Sequence, residues 1–419
     1  MNRRIPPRQI LYPGNLFKIF FSSFFPKKID EKYFNEFFKR FFKSKEENTF
    51  IPVNKARVGI YLIVEFLKKK FSKKKILMSP LTVFDVVNMV LCAGCNPDFI
   101  DFKKDSFDID VDKLDQKLAS DKDICAVLIC NYQINTNIEE VLKVTKKYKI
   151  EVILDCAISI TSSLNKKSII DHVNYSVFSF NLFKVLQSIH GGVVITSDNE
   201  FKDFLRIRQE NWSIYNYKDL FNYFIKGIQI KILTLPLIYE LFTFNLFKFG
   251  DLKNIKFIQN LSKNDPNPKK KDFLDDSYKK KMNNGQMIEI YKNIKTIFLK
   301  RDKREHNFLL YEEGIKNDYL KLISRKKNLD EKNSFINFPI LVKEDKKKLF
   351  SEYLYKNNID HTKYFYRSCD NIECFREFGE QCINSQYISK NIILLPIHDS
   401  LNDRKISQNI KIINSFLKQ

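Results

Sequence analysis

Between residues 57 and 196 the apolar residues switch repeatedly from helical to strand spacing, and that alternation restricts the fold more than any other feature. Ile60, Ile63, Val64 and Leu67 recur at helical intervals within 57–70, and Ile76-Leu77-Met78 makes a short strand that stops at Ser79-Pro80. Helix is predicted again over 82–91 and 111–119, with a strand over 98–101 between them. Residues 125–130 are apolar throughout, as in a parallel strand buried on both faces. A helix over 138–147 then precedes strands over 151–155, 175–180 and 192–196. Helices that regularly separate strands lie on both faces of a parallel or mixed sheet, so the fold class is α/β. Ligands of such sheets bind beyond the carboxyl ends of the strands, where Asp155 and Ser179 fall.

The remaining segments suggest further organisation. Asn264-Asp265-Pro266-Asn267-Pro268, followed by three lysines, reads as a linker or mobile loop. A long helix over 282–308, a strand over 335–342, a helix over 346–357, a strand over 392–395 and a final helix from Asp403 compose a smaller α+β unit. The expected division is an N-terminal helical segment over 1–50, a large domain over 51–290 carrying an apolar insert at about 216–275, and a small C-terminal domain over 291–419. Lys231, Pro236 and Glu240 keep the apolar run at 228–249 short of a bilayer span. It reads as a buried or subunit-contacting helix, with peripheral attachment to a membrane left open.

The formal net charge of +22 is large, but the lysines are spread along the chain and no nucleic-acid motif accompanies them, which argues against nucleic acid as a partner. Lys18 interrupts the apolar run after Leu16, and no small-residue cleavage site follows, so the start reads as a peripheral helix rather than a secretory signal. The eight cysteines are therefore expected to be free thiols in the reducing cytoplasm. Cys92-Ala-Gly-Cys95 has apolar neighbours and no second pair at zinc-finger spacing, so it reads as buried structural thiols and not as a metal site.

Three elements carry chemistry in combination. Asp155 ends an apolar strand, where an ionised carboxylate is costly unless a cation faces it. Ser179 and Lys184 lie just past another strand, in Phe178-Ser179-Phe180-Asn181-Leu182-Phe183-Lys184, and His190-Gly191-Gly192 follows. Upstream, Lys55-Ala56-Arg57-Val58-Gly59 opens a helix whose free N–H groups suit a phosphate, with Arg57, Val58 and Gly59 as the candidate contacts. Pyridoxal phosphate needs these three things: a lysine for the Schiff base, a carboxylate to keep the pyridine nitrogen protonated, and a helix N-terminus for the phosphate.

From about residue 50 onward the sequence resembles the DegT/DnrJ/EryC1/StrS aminotransferases. Residues 91–101 look like that family's "LYAGATPVFVD" block, Leu154-Asp155-Cys156-Ala157 like "EDAA", and Phe178-Ser179-Phe180 with Lys184 like "FSF…K". Met282 with Gln286 is similar to "MS..Q", and residues 394–398 to "LPLH". The resemblance implies a type I PLP-transferase fold: a large mixed-sheet domain with helices on both faces and a smaller α+β C-terminal domain. It implies pyridoxal 5'-phosphate bonded to Lys184, with Asp155 on the pyridine nitrogen and Ser179 on the phosphate. It also implies a homodimer with shared active sites, glutamate as amino donor and a nucleotide-linked keto-sugar as acceptor. Four positions depart from the pattern. Ile158 stands where His or Gln usually approaches the phenolic oxygen, and Val83, after Thr82, where an aromatic ring stacks on the pyridine. His190 replaces an acidic residue, and Lys279 replaces the Asn that crosses the dimer to the phosphate. Asn181 and His190 are candidate substrate contacts. The departures keep open a catalytically degenerate regulatory homologue; a PLP-dependent dehydratase is disfavoured by retention of Lys184.

Overall fold

The computed structural model describes residues 29–132, 134, 136–188, 190–261, 267–323, 330–363 and 366–417, together with 5–8, 17, 20, 21, 24, 25 and 27. Half of the predicted linker at 262–271 and part of the apolar N-terminal run lie outside them.

Seven strands make the central sheet in the order Thr49–Val53, Gly192–Thr196, Tyr175–Ser179, Glu151–Asp155, Ile124–Cys130, Lys75–Met78, Asn96–Phe99. Six run in one direction, and Gly192–Thr196 runs against both its neighbours. Alternation along each strand divides the core into two layers. Leu77, Val152, Leu154, Val193 and Ile195 pack to one side, and Ile76, Met78, Ile153 and Val194 to the other. Helices Ala56–Phe71, Phe84–Cys92 and Asn199–Gln209 cover the second side. Glu31–Phe42, Val111–Ser120 and Ile138–Lys147 cover the first, the first of them through Phe34, Phe38 and Phe42. The α/β expectation of a mixed sheet with helices on both faces is thus met.

A second, antiparallel sheet sets Asn337–Val342 between Leu320–Leu322 and Ile392–Pro396. Ile297–Gly314, Lys347–Lys356 and Asp403–Asn414 are the longest helices of this part. The single helix expected over 282–308 is broken instead. Asn284–Asn293 starts on a capping box of Asn283 and Gln286, and a 3-10 turn over Ile294–Thr296 precedes Ile297–Gly314. At the break the Asn293 amide donates to Glu289 and the Thr296 hydroxyl to the Asn293 carbonyl, local bonds that compete with the helical ladder.

The apolar run at 228–249, expected as one buried or subunit-contacting helix, is broken into shorter pieces. Tyr217–Leu233 ends at Thr234, Pro236 starts a new turn, and the chain passes through a π-helical turn at Tyr239–Thr243 into Phe244–Leu252. The two arms meet at 72°. Only one side is anchored: Tyr239 donates to Asp360, which also holds Arg8, and Phe244 packs on Tyr355. No single helix among the described residues is long and apolar enough to cross a membrane.

Candidate active site

The carboxyl ends of Ile124–Cys130, Glu151–Asp155 and Tyr175–Ser179 open into a cavity of about 540 Å³. Register sets Cys130 beside Asp155, and the backbone N–H of Asn131 donates to the Asp155 carbonyl at 2.9 Å. The Asp155 side chain is buried, with one oxygen accepting from the Ala157 N–H at 2.9 Å. Burial raises its pKa above the usual carboxylate range, against the opposing pull of that N–H and of Lys184. Lys184 lines the same cavity on the turn after Tyr175–Ser179. Its N–H closes that turn on the Asn181 carbonyl at 3.0 Å. Burial pushes the ammonium's pKa down, and Arg57 adds to this, while Asp155 opposes it. An acid raised and an amine lowered in one cavity mark it as a candidate functional site.

The phosphate end is built by close packing. Gly191 has φ +150, a backbone open to glycine, and Gly192 then passes directly under the start of helix Ala56–Phe71. A Cβ on Gly192 would lie 2.5 Å from the Ala56 nitrogen and 2.9 Å from its Cα. Gly192→Ala must therefore lift the helix start, and overpacking of this kind costs about 1–3 kcal/mol. The expected result is that loss in denaturant melts of cofactor-free protein, with at least about ten-fold weaker cofactor binding by fluorescence titration.

Not every expected residue reaches the cavity. Ser179, Asn181, Thr82, Val83 and Arg57 line it. Val58 and Gly59 do not: their N–H groups turn back to the Lys55 carbonyl at 3.0 and 3.3 Å, and Gly59 packs on the sheet. The start of the helix therefore offers Lys55, Ala56 and Arg57 to the cavity, the first three residues of the segment expected to open it. Arg57 is not an open cation either, because its guanidinium is ion-paired with Asp85, which also faces Lys271 at 3.6 Å. Asn181 is exposed, and its side-chain oxygen accepts from the Leu182 N–H at 2.7 Å. Lys279 lies outside the cavity of its own chain, 2.7 Å from Asp276.

His190 borders the cavity as a buried ring between Tyr215 and Tyr223. Its Nδ1 lies 3.2 Å from the Asn54 carbonyl and 3.0 Å from the Gln286 amide. Burial first, then Lys55, lower its pKa to about 3, and burial lowers that of His361 to about 4. A histidine kept neutral when folded takes up its proton only on unfolding, so stability falls as pH drops below the ordinary value of about 6.5 toward these folded values. Each such group contributes at most about 1.4 kcal/mol per pH unit. Melting temperature is expected to fall steadily from pH 7 to pH 4.5, and His190→Gln should flatten the slope.

Reasoning from sequence missed several residues of the cavity. Asn131 is fully buried, and among the described residues neither polar atom of its side chain has a hydrogen-bond partner. An amide left unsatisfied in a cavity suits a ligand atom. It follows an all-apolar strand, so the rule that placed Asp155 applies to it equally. Asp85 interrupts the apolar Phe84-Asp85-Val86-Val87, which is a usable signal. Tyr223, Lys226 and Tyr366 come from distant segments and give none.

The pattern that describes the DegT/DnrJ/EryC1/StrS aminotransferase family matches residues 27–229 and 252–414, skipping the middle of the insert. The UDP-4-amino-4,6-dideoxy-N-acetyl-beta-L-altrosamine transaminase of Campylobacter jejuni (serotype O:23/36, strain 81-176) is 31% identical over 150 residues, 35% of this chain and 39% of that one. GDP-perosamine synthase of Escherichia coli O157:H7 is 26% identical over 129 residues, 31% of this chain and 35% of that one. These matches span well under half the length of either relative. Among solved structures, Helicobacter pylori PseC, an aminotransferase involved in the biosynthesis of pseudoaminic acid, superposes with a TM-score of 0.71 at 18% identity over 98% of both chains. The putative sugar aminotransferase Spr1654 of Streptococcus pneumoniae in its PLP form superposes at 0.70 and 13% identity, over 99% of this chain and 98% of that one. The likeness extends over the whole fold, including the second sheet.

Proposed function

Since the chain belongs to the DegT/DnrJ/EryC1/StrS aminotransferase family, we propose that it transfers an amino group from glutamate to a nucleotide-linked keto-sugar in glycan biosynthesis, using pyridoxal phosphate. The observation that carries this reading is the meeting of Asp155, Lys184 and the start of helix Ala56–Phe71 in one cavity. The residues present fit the cofactor: a carboxylate for the pyridine nitrogen, an amine for the aldehyde carbon, Ser179 and the first N–H groups of the helix for the phosphate. Asn131 adds the unsatisfied amide, which supports it as the polar partner that Ile158 cannot be.

Pyridoxal phosphate supplies an electron sink that lets a carbon next to nitrogen lose its proton. The chain's own groups do the rest. The Asp155 carboxylate keeps the ring nitrogen protonated. The Lys184 amine, whose pKa burial lowers, would move the proton between the substrate carbon and the cofactor's aldehyde carbon. Ala56, Arg57 and Ser179 would hold the phosphate, and the Arg57–Asp85 ion pair also lines the cavity.

The reading includes a cytoplasmic homodimer in which Lys279 serves the phosphate site of the second subunit, and a membrane contact through the insert. Its test is the visible absorbance of purified protein with pyridoxal phosphate. Glutamate should remove that band and a keto-sugar nucleotide should restore it. A band indifferent to glutamate and to other amino donors would sink the proposal.

A further inference from the structure

The insert at residues 217–261 has two dissimilar faces. Its inner face is fastened by Tyr239 on Asp360 and Phe244 on Tyr355. Its outer face exposes Leu235, Leu237 (67% exposed), Leu241 (70%), Phe242 and Phe249, and Phe257 (74%) lies on the following turn. Phe20 of the N-terminal segment stacks on Phe224 of the first arm at 4.3 Å, and Phe21 and Phe25 extend the exposed apolar surface there. Large contiguous patches of this kind mark an interaction surface. The family pattern does not match residues 230–251, which hold the tip of this surface.

Charge on the insert is sorted in the same way. Its three acids turn inward: Asp219 meets Lys280 at 2.6 Å, Asp251 accepts from Tyr355 at 2.6 Å, and Glu240 accepts from the Ile5 N–H at 3.4 Å. Lys218, Lys253 and Lys256 are exposed. An apolar face rimmed by lysines is complementary to a bilayer whose headgroups are anionic and whose interior takes leucine and phenylalanine. A second copy fits less well, because an isologous contact sets each lysine rim against itself. The two arms meet at 72°, and neither alone is long and apolar enough to cross a bilayer, which favours a peripheral seat.

We propose that the insert, with the adjoining N-terminal phenylalanines, docks the protein peripherally on an anionic membrane surface, seating Leu235, Leu237, Leu241 and Phe242 among the acyl chains. This deepens the membrane contact named above and does not depend on the amination chemistry. The full chain with its cofactor would be sedimented with vesicles of phosphatidylcholine alone and of phosphatidylcholine with about 30% phosphatidylglycerol. Binding to the anionic vesicles should be at least about ten-fold tighter and should weaken strongly at high salt. Leu237→Ser with Leu241→Ser should lower that binding about ten-fold or more while leaving the cofactor absorbance and melting temperature unchanged. Failure to bind either vesicle, binding indifferent to lipid charge, or unaltered binding by the double variant would overturn the proposal. So would a fall in native mass caused by the double variant, since a second copy would then be the occupant. If docking fails while glutamate still bleaches the cofactor band, only this inference falls.

Discussion

Lys184→Ala is expected to lower amination by at least about 1,000-fold, because it removes both the attachment point of the cofactor and the base that moves the proton. The same substitution should abolish the visible band formed with pyridoxal phosphate, while fluorescence shows cofactor still bound non-covalently through Ser179 and the helix start. Unfolding is a poor alternative explanation. Lys184 is half-buried, makes no ion pair among the described residues, and burial already disfavours its charge. The melting temperature without cofactor should therefore stay near that of the parent protein. A Lys184→Ala variant that keeps the visible band would place the attachment at another lysine.

Asp155→Asn should lower the rate by about 100- to 1,000-fold, the usual effect of removing one preorganised electrostatic contact from a buried site. The amide preserves shape and can still accept from the Ala157 N–H, but it cannot hold a proton on the ring nitrogen. Covalent attachment through Lys184 should survive, so the band persists while turnover collapses; that split separates Asp155 from Lys184. Stability should move the other way. Burial holds the Asp155 carboxyl above its ordinary value, so without cofactor the ionised form costs stability at neutral pH. That cost disappears as pH falls to the ordinary carboxylate range. Asp155→Asn should thus leave the cofactor-free protein as stable as the parent at pH 7, or more so. A large drop in melting temperature would show the carboxylate to be a structural member instead.

Much of this site is legible in the chain itself, for reasons that also explain what is not. Asp155, Ser179 and Lys184 are visible because strand ends are marked by abrupt changes in hydropathy, and ligands gather at those ends. Val58 and Gly59 fall outside the site because the helix starts at Ala56, and a single residue decides which N–H groups remain open. Arg57 looks like a free cation in the sequence because its partner Asp85 is 28 residues away and no local pattern couples them. The reversed direction of Gly192–Thr196 is invisible there, since alternation along a strand is the same whichever way it runs. The insert misleads for a related reason: an apolar run reports that its residues avoid water, not what replaces the water.

The two outer strands of the large sheet, Thr49–Val53 and Asn96–Phe99, have a bearing on how the protein behaves when crowded. Each contains a proline, Pro52 in one and Pro97 in the other. An outer strand is an open row of donors and acceptors on which another chain can crystallise as an additional strand. Proline has no N–H to offer such a newcomer, and its ring obstructs close approach. Both rims of the sheet are thereby blunted, so fibril-like growth is checked at either end of a seven-stranded layer otherwise well made for it.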